Sequence, residues 1–450
     1  MLIEWVNHAS FVVESGTVTL ICDPWLDGTA FNHGWRLISP TVFSYEDFAR
    51  VTHIWFSHEH PDHFSPSNLK RIPEHFRRNI TVLFHHTKDK RVLKCCTAYG
   101  FKVQELPELE QVEVAPGFRL VCGRQGLIDS WMAISAEGKT LLNMNDCIFS
   151  RRDDLVAIKR QVGRVDVLLS QFSYANWVGN PEDSVSHMRH AQRKRTEMRR
   201  YIQMFEPAIF IPFASFIYFS HKENFFMNRA VNRIRDVYEF TSRELGVATV
   251  VLYPGDKWEV DTPRDSGNSI RRYEADIEHA LSLPPDTSPP IQLTKLQERA
   301  DCLIRKCGHK NNRILLNAMQ PAVIRLNDLA IDVEFSYRRG LHEVRGKHPD
   351  IVTSSDSLHY CLQYDWGGDT LAVNGRYQVP PYGDARIFFR IFRVPAHNSA
   401  GNSFDLTFLG QQAVKKTMNA LRPEISGIRA FKRPAIKSAQ LTDHTRREFQ

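Results

Sequence analysis

Long apolar runs are missing from this 450-residue chain. A membrane-crossing helix needs about 20 consecutive apolar residues, and nothing here approaches that, so no span is expected. The opening residues, MLIEWVNHAS, have neither the basic start nor the apolar stretch of a secretory signal, which makes a cytoplasmic location the expectation. Cysteine occurs eight times, at Cys22, Cys95, Cys96, Cys122, Cys147, Cys302, Cys307 and Cys361, but never as two CxxC pairs. That spacing excludes a common structural zinc site, and Cys302 and Cys307 stand too far apart for a redox pair. A large excess of one charge is also lacking. The net charge is +7, and Lys and Arg form no dominant tract. No nucleic-acid site is indicated, although a small anionic substrate is compatible with that balance. There is no internal repeat.

The length exceeds what one hydrophobic core usually supports, so two domains are expected. The chemistry is concentrated at residues 51–64, VTHIWFSHEHPDHF. An apolar run reads as a short buried strand, and Pro61 prevents its continuation. The loop so made carries His58, Glu59, His60, Asp62 and His63. Imidazole and carboxylate are the ligands that zinc, iron and manganese take, and a rigid strand delivering several of them to one loop is a way to build a metal site.

Short strands are expected at 2–6, 10–14 and 18–21, the last running into the loop CDPWLDGTAF. A helix over 66–76 is expected to break at Pro73, with Ser65 as its N-cap. Strands at 112–114, 118–122, 131–135 and 140–144 alternate as antiparallel neighbours, and Asp146 follows the last of them. A strand at 165–170 ends in QFSYANWVGNPED. Residues 184–205 have a helical pattern rich in Arg and Lys, either facing an anion or forming a solvated surface with Met188, Met198 and Ile202 turned inward. FASFIYFS reads as a loop leading to His221. A strand at 247–253 closes a first domain at 1–256. Residues 257–291, with four Pro between 281 and 290, read as a linker. A small α+β domain follows at 292–412, including the alternating ARIFFRIFRV, and a basic tail at 413–450.

The run His58-x-His60-x-Asp62-His63 matches the His-x-His-x-Asp-His motif of the metallo-β-lactamase superfamily, which the chain resembles. The resemblance implies an α/β fold: an αββα metallo-β-lactamase sandwich, here followed by a smaller α+β domain. It implies one or two divalent transition metals at the sheet edge. His58 and His60 would hold the first, Asp62 and His63 the second, with Asp146 bridging and His221 as the last ligand. Asp62 and Asp146 would also act in catalysis by orienting water. His8, Tyr174, Asn176 and Trp177 border the expected site as candidate substrate contacts. One His of the pattern is missing, since LVCGRQGLIDSWMAI has none where the family usually places it. Gln125 or Asp129 could substitute, or His8 or His85 could approach.

NHASFVVE, IDSWMAISAEGKTLLNMNDC and IFIPFASFIYFSHKEN narrow the resemblance to the branch of the ascorbate-6-phosphate lactonase and, closer still, the CMP-N-acetylneuraminate hydroxylase. The hydroxylase resemblance implies iron and oxygenation of a small-molecule substrate. This chain has no paired Cys and His for a Rieske cluster, so electrons would come from a separate donor. The broader branch implies a zinc- or manganese-dependent hydrolase of phosphodiesterase or lactonase type, in which the metal lowers the pKa of its bound water toward ~7. A degenerate metal-binding protein is a third reading. In the second domain, PDIVTSSDSLHYCLQYDWGGDTLAVNGRY resembles sterol-carrier-protein-type domains; a structural or dimerising cap is the alternative.

Overall fold

The computed structural model describes residues 1–407, apart from Leu127, together with Gly410. The basic tail expected at 413–450 lies outside the described residues.

Two seven-stranded sheets build the first part of the molecule. One runs in the order Lys257–Glu259, Leu2–Asn7, Ser10–Ser15, Val18–Cys22, His53–Trp55, Thr81–His85, Lys102–Leu106. The period-two alternation of its strands explains its burial on both faces. Ile3, Trp5, Phe11, Val13, Leu20, Trp55 and Leu83 enter the core shared with the second sheet. Val6, Val12, Ile21, Ile54, Phe56, Val82 and Phe84 turn the other way, onto Leu69, Val92 and Leu93 of the covering helices. Each such side chain contributes roughly 1.5–3 kcal/mol by leaving water.

The second sheet runs Ala248–Thr249, Ile209–Phe213, Val167–Gln171, Lys139–Asn143, Asp129–Ala136, Phe118–Gln125, Gln111–Ala115. Its last four strands form the antiparallel meander expected from the sequence. The helix Ser184–Phe205 buries Met198, Tyr201, Ile202 and Phe205 in the adjoining core. Met188, expected to turn inward, is exposed instead, while His187 is buried against Phe226. Two sheets between helical layers make the αββα sandwich that was expected.

The strand His53–Trp55 is parallel to both neighbours, Val18–Cys22 and Thr81–His85. Its C-terminal end therefore coincides with theirs, and the loop at 57–64 opens beside Asp23 and His85. Ser65 caps the next helix, Pro66–Arg71, by accepting from the Asn68 amide, and Pro73 separates it from Glu74–Arg77.

A third sheet, Gly340–Val344, Ile331–Ser336, Ala322–Leu326, Ile351–Thr353, Tyr377–Gln378, has its own core with the helices Leu293–Lys310, Ser355–Gln363 and Ala385–Ser399. Two expectations are corrected here. ARIFFRIFRV is helical: Phe388, Ile391, Phe392 and Pro395 are buried at i, i+3, i+4 and i+7, a period that an alternating reading conceals. The stretch 257–291 is not all linker. Lys257–Glu259 pairs with the first strand, and the helix Gly267–Ser282 places Ile270 and Tyr273 in the first core. No helix among the described residues is long and apolar enough to cross a membrane.

Candidate metal centre

The loop following Trp55 is organised by a buried carboxylate. Asp23 ends its strand with a left-handed backbone, φ +42°, and is fully buried. Its Oδ1 accepts from the Ser57 amide at 2.7 Å. Its Oδ2 accepts from Ser57 Oγ at 2.7 Å, His63 Nδ1 at 2.9 Å and Asn145 Nδ2 at 2.6 Å. Because Ser57 Oγ donates to Asp23, the oxygen is left to accept from His58 Nδ1, 2.9 Å away. Both imidazoles thus carry a proton on Nδ1 and turn Nε2 toward the cluster of candidate ligands. Outer partners of this kind fix the tautomer and orientation of metal-binding histidines.

The Nε2 atoms converge with three carboxylates. His63 Nε2 lies 3.3 Å from Asp62 Oδ2 and 3.5 Å from Asp146 Oδ2. His58 Nε2 lies 3.9 Å from both Asp146 Oδ2 and Asp129 Oδ1, and 2.9 Å from His60 Nδ1. Donors that each sit about 2.1 Å from one cation stand roughly 3.0–3.5 Å apart, so these spacings suit shared ions after small adjustments. His63 Nε2 and Asp62 Oδ1 are buried without a well-formed hydrogen bond, a condition that is costly unless something else satisfies them. Two groups of possible ligands result, His58/His63/Asp146 and His8/Asp62/His63. The residues present fit a divalent cation.

Electrostatics point the same way. Burial would raise the Asp62 carboxyl, but the His63 charge and the His8 contact hold it well below the usual range. Burial would lower His63, but Asp62, Asp146 and Asp23 hold it well above its ordinary value. Burial pushes the Asp129 carboxyl up to about 7, assisted by the nearby Asp146 charge. Burial also depresses His58 and His60, in each case with His63 adding to the effect. A site holding this much mutually strained charge is where a cation gives most relief.

Five of the six expected ligands, His58, His60, Asp62, His63 and Asp146, meet here. The sixth, His221, does not. FASFIYFS is not a free loop: the strand Ile217–Phe219 pairs with Trp35–Leu37 and carries His221 to a bridge with Asp286. There its ring neighbours are Glu223 and Ser288, at the seam with the third sheet. Near the position without a His stands Asp129, at the start of the strand Asp129–Ala136; Gln125, the other substitute considered in that stretch, ends the neighbouring strand and donates to the Ile148 carbonyl. Gln171, unremarked in the sequence, donates from Nε2 to Asp146 Oδ1 at 3.1 Å.

The expected substrate contacts are placed differently. His8 is buried, donates from Nε2 to Asp62 Oδ2 at 3.2 Å and packs edge-on to Trp25. It supports a ligand rather than opening to solvent. Tyr174 donates to the Met227 carbonyl, and Trp177 stacks on Tyr377 with ring centres 4.8 Å apart. Asn176 turns back to the Trp177 carbonyl. Trp177 also donates its amide to the Ala372 carbonyl, so that it serves the seam between the two cores.

With this geometry the sequence family can be read. Residues 2–170 match the beta-lactamase superfamily domain. This part of the chain is a member of that family. Similar curated proteins include a putative Rieske 2Fe-2S iron–sulfur protein of Mycolicibacterium smegmatis, 27% identical over 223 residues, covering 45% of this chain and 41% of that one. They also include the cytidine monophosphate-N-acetylneuraminic acid hydroxylase of Xenopus laevis, 23% identical over 314 residues, covering 62% and 51%. The chain thus spans about half the length of these relatives. Among solved structures, CmlA, a diiron β-hydroxylase from Streptomyces venezuelae, aligns with TM-score 0.41 at 16% identity, over 57% of this chain and 54% of that one. An isothiocyanate hydrolase from Delia radicum gut bacteria aligns with TM-score 0.43 at 12% identity, over 58% and 99%.

Proposed function

We propose that the protein is a metal-dependent oxygenase of hydroxylase type acting on a small molecule. The observation that carries this reading is the carboxylate of Asp129, 3.9 Å from His58 Nε2, the nitrogen that His60 Nδ1 also meets. A third imidazole would make that half-site suited to zinc, whereas two His and one carboxylate form a harder donor set of the kind used by non-haem iron. The hydroxylase and Rieske names of the curated relatives support the same direction. Iron held there would supply activation of dioxygen for insertion into a substrate carbon, with electrons from a separate donor.

The chain's own contribution is to position and protect. His58, His60 and Asp129 would hold one cation and Asp62 and His63 a second, with Asp146 available to either. Asp23 and Ser57 keep the protons of His58 and His63 on Nδ1, so that Nε2 is free for the ligand role. His8 donates to Asp62 Oδ2 and so steadies the oxygen that also faces His63 Nε2. Phe31, buried beside His60, and Trp25, buried beside His8, exclude water from that side.

Metal analysis of the purified protein, paired with oxygen uptake under a chemical reductant, tests the reading. Iron with oxygen consumption is expected. Stoichiometric zinc or manganese with phosphodiesterase or lactonase turnover would replace it with the hydrolase, which the Asp62 and Asp146 carboxylates could equally serve by orienting water. Bound metal without turnover of either kind would leave a metal-binding protein.

A further inference from the structure

The loop that precedes the strand Trp35–Leu37 has an unusual backbone. Phe31, Asn32 and His33 have φ of +52°, +52° and +58°, three consecutive left-handed residues that all carry a Cβ. Asn tolerates that region through its short polar side chain, and Phe does not. Something outside the loop must hold it, and much of what does belongs to the third-sheet unit. Asn374 Nδ2 donates to the Phe31 carbonyl at 3.0 Å, and Arg376 Nη1 to the Asn32 carbonyl at 2.6 Å. Asn32 Nδ2 donates in turn to Asp356 Oδ2 at 3.1 Å. From the first part of the molecule, Ser220 Oγ donates to the His33 carbonyl. The approach is close enough that a Cβ on Gly34 would lie 2.6 Å from the Asn374 Cβ. Arg376 is wholly buried, its charge met by Glu223 and Asp356.

Held this way, Phe31 faces the metal centre. Its ring lies 5.5 Å from that of His60 at an interplanar angle of 68°, and is backed by Trp35 at 4.4 Å. His60 needs such support. Its Nδ1 is the atom that meets His58 Nε2, and a turn of the ring about χ2 would remove it from the site. Asp23 and Ser57 fix His58 and His63, and the Phe31 ring is what stands against His60.

We propose that the C-terminal α+β unit positions the ligand His60, with Asn374 and Arg376 acting through Phe31. The unit is thereby part of the metal centre's construction, although it supplies no ligand. The inference rests on the reading that His60 binds a cation. Phe31, Asn374 and Arg376 are positioning residues.

The test is a Co(II) titration of the full chain, followed by calorimetry and by the visible ligand-field bands. His60→Ala identifies which uptake depends on that ring. In Phe31→Leu the same uptake is expected to weaken roughly tenfold with altered bands, as for loss of an outer-shell support. Asn374→Ser, remote from the ligands, is expected to shift the bands in the same sense, which a purely structural role at the seam would not do. Titrations of both variants that superimpose on the wild type, alongside a real loss in His60→Ala, would overturn the positioning role alone. Unchanged uptake in His60→Ala, or no uptake by the wild type, would overturn the ligand reading and this inference together.

Discussion

His63 Nδ1 and Asp23 Oδ2 stand 2.9 Å apart, both sealed from solvent. The carboxylate can only accept, so Nδ1 carries a proton and the ring turns Nε2 toward Asp62 and Asp146. Asp23→Asn keeps the volume but sets an amide where that acceptor was. An amide N–H opposite Nδ1 would drive the proton to Nε2 and abolish the ligand. The expected result is a loss of roughly 10–100-fold in metal affinity with the fold retained. Calorimetric titration with Zn(II) or Co(II) reads it directly, and an unchanged affinity would remove Asp23 from the centre's design.

Gln171 makes a second such prediction. Its amide engages Asp146 Oδ1, leaving Oδ2 as the oxygen that faces both His58 and His63. Were two cations bound, that oxygen would be the one offered to either. Gln171→Leu frees Oδ1 to turn inward. In Mn(II)-loaded protein the electron paramagnetic resonance spectrum should then show weaker coupling between the ions at unchanged stoichiometry. Identical spectra from the two proteins would mean the amide has no such hold.

Asp129 can be exchanged for the His expected at that place. If it is a ligand as proposed, Asp129→Ala should weaken binding by more than the roughly 10–100-fold cost of an outer-shell change. Asp129→His should restore affinity but move preference from iron toward zinc, because a neutral nitrogen replaces a hard anionic oxygen. Competitive loading with equimolar Fe(II) and Zn(II) under anaerobic conditions, followed by elemental analysis, separates the two. If Asp129→Ala loads as well as the wild type, the carboxylate is a bystander and the oxygenase reading loses its main support.

These residues differ in how far the sequence revealed them. His58 to His63 were legible because the ligands are local: one strand and one loop place them all, and the spacing is the signal. Asp146 was legible as the polar residue at the end of a buried strand. Asp23 and Gln171 occupy comparable strand ends, yet a lone Asp before Pro and a lone Gln have commoner roles in turns, and only tertiary contact distinguishes them. His221 was misplaced for a related reason. Its position depends on the pairing of Ile217–Phe219 with Trp35–Leu37, a contact across about 180 residues between strands of three residues each. Trp177 reads equally well as a pocket wall or as a seam residue, because an exposed-loop aromatic has no sequence mark for the unit that later covers it.

His221 itself now carries a prediction about acid stability. Burial, followed by the neighbouring Arg376 charge, lowers it to about 3, and its Nδ1 accepts from the Glu223 amide, so the folded protein holds the ring neutral. In the unfolded chain it titrates near ~6.5. Between those values the unfolded state binds the extra proton, so stability is full above pH ~6.5 and is lost as the pH falls toward 3, by up to about 1.4 kcal/mol per pH unit. The ring is 1% exposed, so solvent screens little of this. His221→Gln keeps an acceptor without the titration. Urea midpoints measured from pH 7 to pH 4.5 should show the variant less stable at neutrality but less sensitive to acid, the two curves converging as the pH drops. A constant offset across that range would mean that His221 binds its proton alike in the folded and unfolded protein, and that its burial at the seam carries no acid sensitivity.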